Sequence, residues 1–342
     1  MKEVENMPLT NRENMLLVYQ HKTPEYLPLT SDVIRVSTPG AGLQSVTYGG
    51  KPAAQFAQQD GGLDWFGQNW IYEKGINAIN PDATNYIIKD VTKWRDYVTL
   101  PDVDSIDWKA RFEKENIQLD RENKLVSVGQ SIGMWERAFS MIEMTDLLTA
   151  LILEPEAMHD FFDEISNHFI KLFGHYIDFY RPDILRMNDD YGHGHGMFMS
   201  PDTWRAVIKP YLKRIVDFVV SKGVMYEHHC CGYIVPIVDD IIELGASAWN
   251  LVHFCNDPPA VKERFGGRIA LMGGMLNTAM MDAPSTTEEM IREHISDFAA
   301  KLYPGIPAVM GCGLANFPER NAIVNDEILK SGNKYFSIER PA

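Results

Sequence analysis

From Lys124 onward the chain repeats one pattern, a short run of apolar and β-branched residues followed by a longer stretch with apolar side chains at helical spacing. The spacing predicts strands over 125–128, 183–190, 224–229, 248–252, 269–273 and 308–310. Helices are expected over 136–153, 155–181, 201–222, 234–244, 259–265, 286–302 and 325–336, with Ser200 placed to cap the third. Strands that alternate with helices make a parallel sheet, which in a chain of 342 residues is a closed eight-stranded barrel or a doubly wound open sheet. Polar residues decide for the barrel. They stand at the carboxyl ends of successive strands: Asp189 and Asp190, His229 and Cys231, Asn250 and His253, Gly273 and Gly274, then Cys312. A barrel gathers all of those ends on one face, whereas an open sheet unites only the strands beside a switch point. The expected fold is α/β, a (β/α)8 TIM-type barrel in one domain over 1–342.

Residues 1–120 depart from the repeat and read as an N-terminal elaboration that carries the first barrel elements and covers the barrel mouth; the regular repeats occupy 121–342. Thr10 and Glu13 have capping-box spacing at the start of a short helix over 9–19. Pro24 and Pro28 then punctuate the chain, and 27–31 reads as the first strand. Residues 40–107 are rich in Gly, Pro, Asp and aromatics, among them Trp65, Trp70 and Trp94. Within this tract the Gly61-Gly62-Leu63-Asp64-Trp65-Phe66-Gly67 element suits a lid over an apolar substrate pocket, although core packing is the commoner fate of a single Trp.

A net charge of −15 without any Lys/Arg cluster argues against a nucleic-acid partner. No run of about 18 apolar residues offers a membrane span, and no charged-then-apolar leader opens the chain, so a cytoplasmic location is expected. Only Cys230, Cys231, Cys255 and Cys312 are present, two of them adjacent, which does not make a disulfide framework. Cys255 reads as a small buried hydrophobe, the usual role of a free cysteine.

Chemistry concentrates in Val224-Met225-Tyr226-Glu227-His228-His229-Cys230-Cys231-Gly232, an apolar run that ends in soft metal-ligand side chains. Alternation along a strand lets His229 and Cys231 point together, with His228 and Cys230 as the competing pair. Two ligands do not close a zinc site, and the third is expected from Cys312 in Gly311-Cys312-Gly313. Ligands from separate strands leave a position for water or substrate, as catalytic zinc sites do; buried thiols beside a surface histidine are the plainer alternative. Glu227, two residues before His229, is either a fourth ligand, a partner behind the ligands, or a barrel-interior acid paired with Arg or Lys. In Asn188-Asp189-Asp190-Tyr191-Gly192-His193-Gly194-His195, paired carboxylates beside histidines suit a proton donor of shifted pKa, Asp189 or Asp190; a solvated Gly-rich loop is the alternative. Asp64, Trp65, Tyr191, His193 and Asn250 are the expected substrate-binding residues. No nucleotide fingerprint occurs.

These residues resemble the uroporphyrinogen decarboxylase superfamily, and within it the corrinoid-dependent methyltransferases that demethylate methoxylated compounds in anaerobes. The resemblance runs through Arg12-Glu13, Asp64-Trp65-Phe66-Gly67, Pro101-Asp102 and Asp189-Asp190-Tyr191-Gly192. It continues in Met199-Ser200-Pro201, Lys209-Pro210, His229-Cys230-Cys231-Gly232, Gly273-Gly274 and Gly311-Cys312-Gly313. It implies zinc on His229, Cys231 and Cys312 rather than on His228 and Cys230. It further implies a methyl donor, an aromatic O-methyl ether, and a corrinoid carried by a partner protein as acceptor. An RQAGRY signature like that of the decarboxylase branch is not found. The alternatives are a methyl-corrinoid:thiol methyltransferase with a zinc-activated thiol, a uroporphyrinogen-type decarboxylase, or a non-catalytic barrel that binds a corrinoid protein.

Overall fold

Thr10 opens the first helix as its spacing predicts: its hydroxyl accepts the Glu13 N–H, and the Glu13 carboxylate accepts the Thr10 N–H at 2.9 Å. The computed structural model describes residues 8–37, 62–73, 78–115 and 119–341. Helix α1 (Asn11–Tyr19) leads into strand β1 (Val33–Ser37). The expected strand at 27–31 is not one, because the Asp32 carboxylate accepts the Leu29 N–H at 2.9 Å and folds this segment into a turn; the strand starts at the next β-branched run. A small antiparallel sheet follows, β2 (Gly62–Leu63), β3 (Asn69–Glu73) and β4 (Ala78–Pro81), then α2 (Trp94–Tyr97) and α3 (Trp108–Glu115). Gly61, part of the expected lid, lies outside the described residues.

The regular repeats run as β5 (Leu125–Gln130), α4 (Met134–Met141), α5 (Met144–Leu153), α6 (Pro155–Tyr180), β6 (Ile184–Asn188), a hairpin of β7 (Gly192–His193) and β8 (Gly196–Met197), α7 (Pro201–Val207) and α8 (Lys209–Ser221). They continue with β9 (Met225–His229), α9 (Val238–Leu244), β10 (Ala248–Asn250), α10 (Pro258–Phe265), β11 (Ala270–Met272), α11 (Thr278–Met281), α12 (Glu288–Leu302) and α13 (Asn321–Gly332). Two expected helices are each divided, the first between Met141 and Met144 and the second at Ile208, two residues before Pro210. Pro210 has no N–H to give the Ala206 carbonyl, which interrupts the hydrogen-bond ladder there.

Six strands pair in parallel in the order β1-β5-β6-β9-β10-β11 and curl as part of the barrel. Val309 bridges Met272 to extend the sheet, and Gly311 packs on Thr30 just ahead of β1, which brings the last segment back to the first strand. Strand alternation sorts the side chains. Ile34, Val36, Val126, Val128, Leu185, Met187, Tyr226, Trp249 and Leu271 face the helices. Val33, Leu125, Ile184, Met225, Ala248, Ala270 and Val309 face inward as an apolar floor and pack against Met15, Val18 and Tyr19 of α1. Helix α1 is tied there by Arg12, whose guanidinium bonds both Asp183 oxygens at 2.5 and 2.7 Å and the Lys124 carbonyl at 3.2 Å, the residues that precede β6 and β5. So one part of the elaboration plugs the amino end of the barrel. The small sheet joins the α4 and α6 side instead, through a fully buried Asp64–Arg137 ion pair and an edge contact of Phe66 on His168 at 5.3 Å. Among the described residues no helix is long and apolar enough to cross a membrane.

Burial, followed by the nearby Arg137 and Lys171 charges, pulls the His168 imidazole down to about 4. Its folded-state pKa is thus below the unfolded value near 6.5, so the fold keeps it neutral while the unfolded chain takes up the proton. The associated stability is complete above pH 6.5 and is lost as pH falls towards 4. A loss of about 2 kcal/mol is expected at pH 5 relative to pH 7, read as a lower urea midpoint, and His168→Gln is expected to reduce that pH dependence.

Candidate metal centre

Pairing register places the polar ends of three strands side by side: Asn188 of β6 opposite His229 of β9, and His229 opposite Asn250 of β10. All three continue the inward-facing rows that begin at Ile184, Met225 and Ala248. One layer deeper, Arg186 stands opposite Glu227. Chain order thus sets a vertical sequence inside the barrel, from apolar floor to charged layer to polar rim.

At the rim, one atom each from Asp190, His229 and Cys231 lie within 4.8 Å of one another. The Cys231 sulfur is 3.4 Å from His229 Nε2. Two zinc ligands at a tetrahedral angle, one nitrogen and one sulfur, stand roughly 3.5 Å apart. His229 Nδ1 is 2.6 Å from Asn250 Oδ1, an acceptor that fixes the proton on Nδ1 and leaves the Nε2 lone pair for a metal. Asp190 Oδ1 accepts the Cys231 N–H at 2.7 Å, which ties the carboxylate to the ligand loop. Burial and the adjacent Asp190 charge push the Cys231 thiol far up, so a metal that binds it must displace a proton. The donor set of one carboxylate, one imidazole and one thiol fits zinc.

The turn after β9 depends on Gly232. Its φ is +75°, and an added Cβ would lie 2.3 Å from the Gly192 backbone, so no larger residue fits. Gly133 has a similar task before α4, where a Cβ would meet the Asn188 carbonyl at 2.4 Å. That close approach lets Asp189 cap α4: its carboxylate accepts the Trp135 N–H at 3.2 Å, the Glu136 N–H at 2.9 Å and the Tyr191 hydroxyl at 2.7 Å. Burial raises Asp189 to about 7, against those three donors, which lower it.

The expected site residues divide accordingly. His229, Cys231 and Asp190 meet, and Asn250 orients His229. Cys312 is outside that group and lines an adjoining cavity of about 420 Å³ with Leu251, His253, Phe254, Cys255 and Gly274. Burial and the Asp282 charge push its thiol up to about 11. Glu227 takes the barrel-interior role: fully buried, it accepts the Tyr19 hydroxyl and pairs with Arg35 at 2.8 Å. Asp189 and Tyr191 are buried behind the strand ends, where Tyr191 stacks on His228 at 5.6 Å. Asp64 is occupied by Arg137 and the Trp70 indole, Trp65 packs on the core, and His193 is exposed on the β7–β8 hairpin. His228 is fully buried, and burial pulls it down to about 3; Cys230 is buried too, as the competing pair would be if it packs.

Glu136 escaped the sequence reading. It lies in the first turn of α4 and accepts the N–H groups of Gly133 and Asp190. Burial, then the Asp190 and Asp189 charges, raise its pKa well above the carboxylate range. A carboxyl whose pKa is raised in this way is suited to donate a proton. No local motif marks it, because Asp189 and Asp190 reach it from more than 50 residues away.

The carboxyl end of the barrel, where TIM-type folds place their chemistry, thus brings together a carboxylate, an imidazole and a thiol that could hold a metal ion. The chain belongs to the uroporphyrinogen decarboxylase (URO-D) family, whose sequence model it matches over residues 69–320. In fold it is similar to a methyltransferase from Methanosarcina mazei, with a TM-score of 0.61 and 14% identity, over 96% of this chain and 99% of that one. No curated protein matches the sequence.

Proposed function

We propose that this chain is a zinc-dependent methyltransferase that moves a methyl group from a methoxylated substrate, an aromatic methyl ether, to the cobalt of a corrinoid carried by a separate protein. The observation that carries this reading is the Asp190, His229 and Cys231 group at the barrel's carboxyl end, with His229 Nε2 turned to the Cys231 sulfur. Family membership and the likeness in fold to a methyltransferase support it. Zinc held there supplies a Lewis acid for the ether oxygen, otherwise a poor leaving group. Asn250 holds the His229 ring in place. Glu136 donates the proton that the departing oxygen takes up, and Asp189 fixes the turn of α4 that carries Glu136. Cys312 is the third protein ligand in this proposal, brought in from the wall of the adjoining cavity, and Asp190 is the carboxylate beside the position left for substrate.

Two measurements test it. Reduced corrinoid protein incubated with methoxybenzenes, methylamines and methylthiols is expected to gain a methyl group, seen in the cobalt absorption spectrum, from the methoxybenzenes. Transfer confined to thiols turns the reading to a zinc-activated thiol acceptor, and no transfer from any donor overturns it. For the ligand set, Cys312→Ser is expected to weaken zinc binding by about 10-fold or more in chelator competition. An unchanged affinity makes Asp190 the third ligand and Cys312 a wall residue.

A further inference from the structure

The cavity beside the metal group has a largely apolar wall into which two nitrogen donors are set. Leu251, Phe254, Leu276 and Ala279 form much of that wall, and among the described residues no acid, lysine or arginine lines it. His253 and Asn277 bring the nitrogens. Gly232 donates its N–H to His253 Nδ1 at 3.1 Å, which makes that nitrogen the acceptor and puts the ring proton on Nε2. Burial, opposed by the Asp190 charge, lowers the His253 pKa, in keeping with a neutral ring. Among the described residues Nε2 has no hydrogen-bond partner.

Asn277 is oriented by the same logic. Its Oδ1 accepts the Met280 N–H at 3.0 Å as the cap of α11, so the NH2 end of the amide is left as a donor without a partner among the described residues. The His253 ring is held in place. It lies against Gly274, whose φ is +70° and where an added Cβ would meet ring Cδ2 at 3.3 Å and Leu251 Cβ at 2.9 Å. Asn256, which is buried, ties this wall to the ligand loop: its Nδ2 donates to the Gly232 carbonyl at 2.8 Å and the His253 carbonyl at 3.1 Å, and its Oδ1 accepts the Ile234 N–H at 3.0 Å. The wall and the turn that follows Cys231 thus keep one geometry. Oriented donors in a mainly apolar cavity of about 420 Å³ are how a protein fixes the orientation of a small molecule.

We infer that this cavity seats the ring of the methyl donor, and that His253 and Asn277 select a ring carrying an uncharged oxygen acceptor, a carbonyl or a second ether, besides its methoxy group. The inference rests on the methyl-transfer reading for the rim, and its test is a binding measurement that does not need turnover. The purified full chain is titrated calorimetrically with 2-, 3- and 4-methoxyacetophenone and with the matching isopropylanisoles, in which a methyl group stands in for the carbonyl oxygen. For at least one ring position the ketone is expected to bind about 3- to 10-fold more tightly, the weight of one hydrogen bond. The double replacement His253→Phe/Asn277→Asp, whose aspartate still caps α11, is expected to abolish that preference and leave the isopropylanisole affinity unchanged. Bound ketone is also expected to slow the alkylation of Cys255 by iodoacetamide, read by peptide mass spectrometry, because this thiol lies in the same wall.

Equal or weaker binding of all three ketones by the unaltered chain overturns the inference, a comparison that needs no variant to fold. It is equally overturned if the double replacement weakens ketone and isopropylanisole alike, or if saturating ketone leaves the alkylation of Cys255 unchanged. A ketone preference with no methyl transfer from any methoxy compound leaves the cavity assignment standing and removes the reading of the rim. Methyl transfer without a ketone preference does the reverse.

Discussion

Replacing Cys231 by serine is expected to strip zinc from the purified protein and to lower methyl transfer by at least about 100-fold, the scale on which even residues behind metal ligands act. The argument starts from the thiol. Cys231 sits 3.4 Å from His229 Nε2, and its backbone N–H is held by Asp190, so the sulfur cannot be supplied by a neighbour. Cys230 is adjacent in sequence but fully buried on the other face, where its sulfur is within 3.2 Å of the Tyr191 N–H. Serine keeps the size and loses the soft anionic ligand. Asn250→Ala, which releases the His229 ring, is expected to cost about 10- to 100-fold in zinc affinity. The apolar floor and the helix-facing core lie away from these residues, so the unfolding midpoint of Cys231→Ser is expected to stay near that of the parent. A collapse of folding along with zinc content would instead make the metal structural. Retained zinc at parental level would remove Cys231 from the site.

Asp64→Ala is expected to lower folding stability by about 3–5 kcal/mol, because it leaves the Arg137 guanidinium buried and unpaired. Both side chains are essentially inaccessible, at 0% and 1% exposure. Asp64 also accepts the Trp70 indole N–H at 3.0 Å and the N–H groups of Phe66 and Gln68 at 2.9 and 3.0 Å, so its loss loosens the turn between β2 and β3 as well. Arg137 lies over the Phe66 ring at 4.1 Å, a contact that persists without Asp64 but does not neutralise the charge. Urea denaturation measures the effect, and the double replacement Asp64→Ala/Arg137→Met is expected to recover much of it. A change below 1 kcal/mol for the single variant would mean that water reaches Arg137.

The barrel was legible because its strands are apolar on both faces near their starts and polar at their ends, a pattern that survives without knowledge of contacts. Alternation paired His229 with Cys231 but left His228 with Cys230 as an equal candidate, and only the family resemblance chose between them; Cys231 itself lies two residues past the end of β9. Sequence reading failed where partners come from distant segments. Asp189 and Asp190 look equivalent in the chain, yet one turns back to cap α4 and the other turns to the rim, a difference made by the close approach of Gly133 to the Asn188 carbonyl. Glu136 becomes a raised carboxyl only when α4 docks on that strand end. The false strand at 27–31 shows the limit of local propensity, since a single side-chain bond from Asp32 to the Leu29 N–H outweighs it.

The plug that α1 forms has a consequence for traffic. With Met15, Val18 and Tyr19 seated on the inward residues of the strands, the described residues close the barrel at its amino end. Among the described residues that leaves the rim as the side from which a molecule could reach His229, so in the proposed reaction substrate and product would share one route. Under the proposed methyl transfer, a partner protein docked over that rim would close this entrance while it is there, so the small molecule would come first, the large partner second, and release would follow the partner's withdrawal.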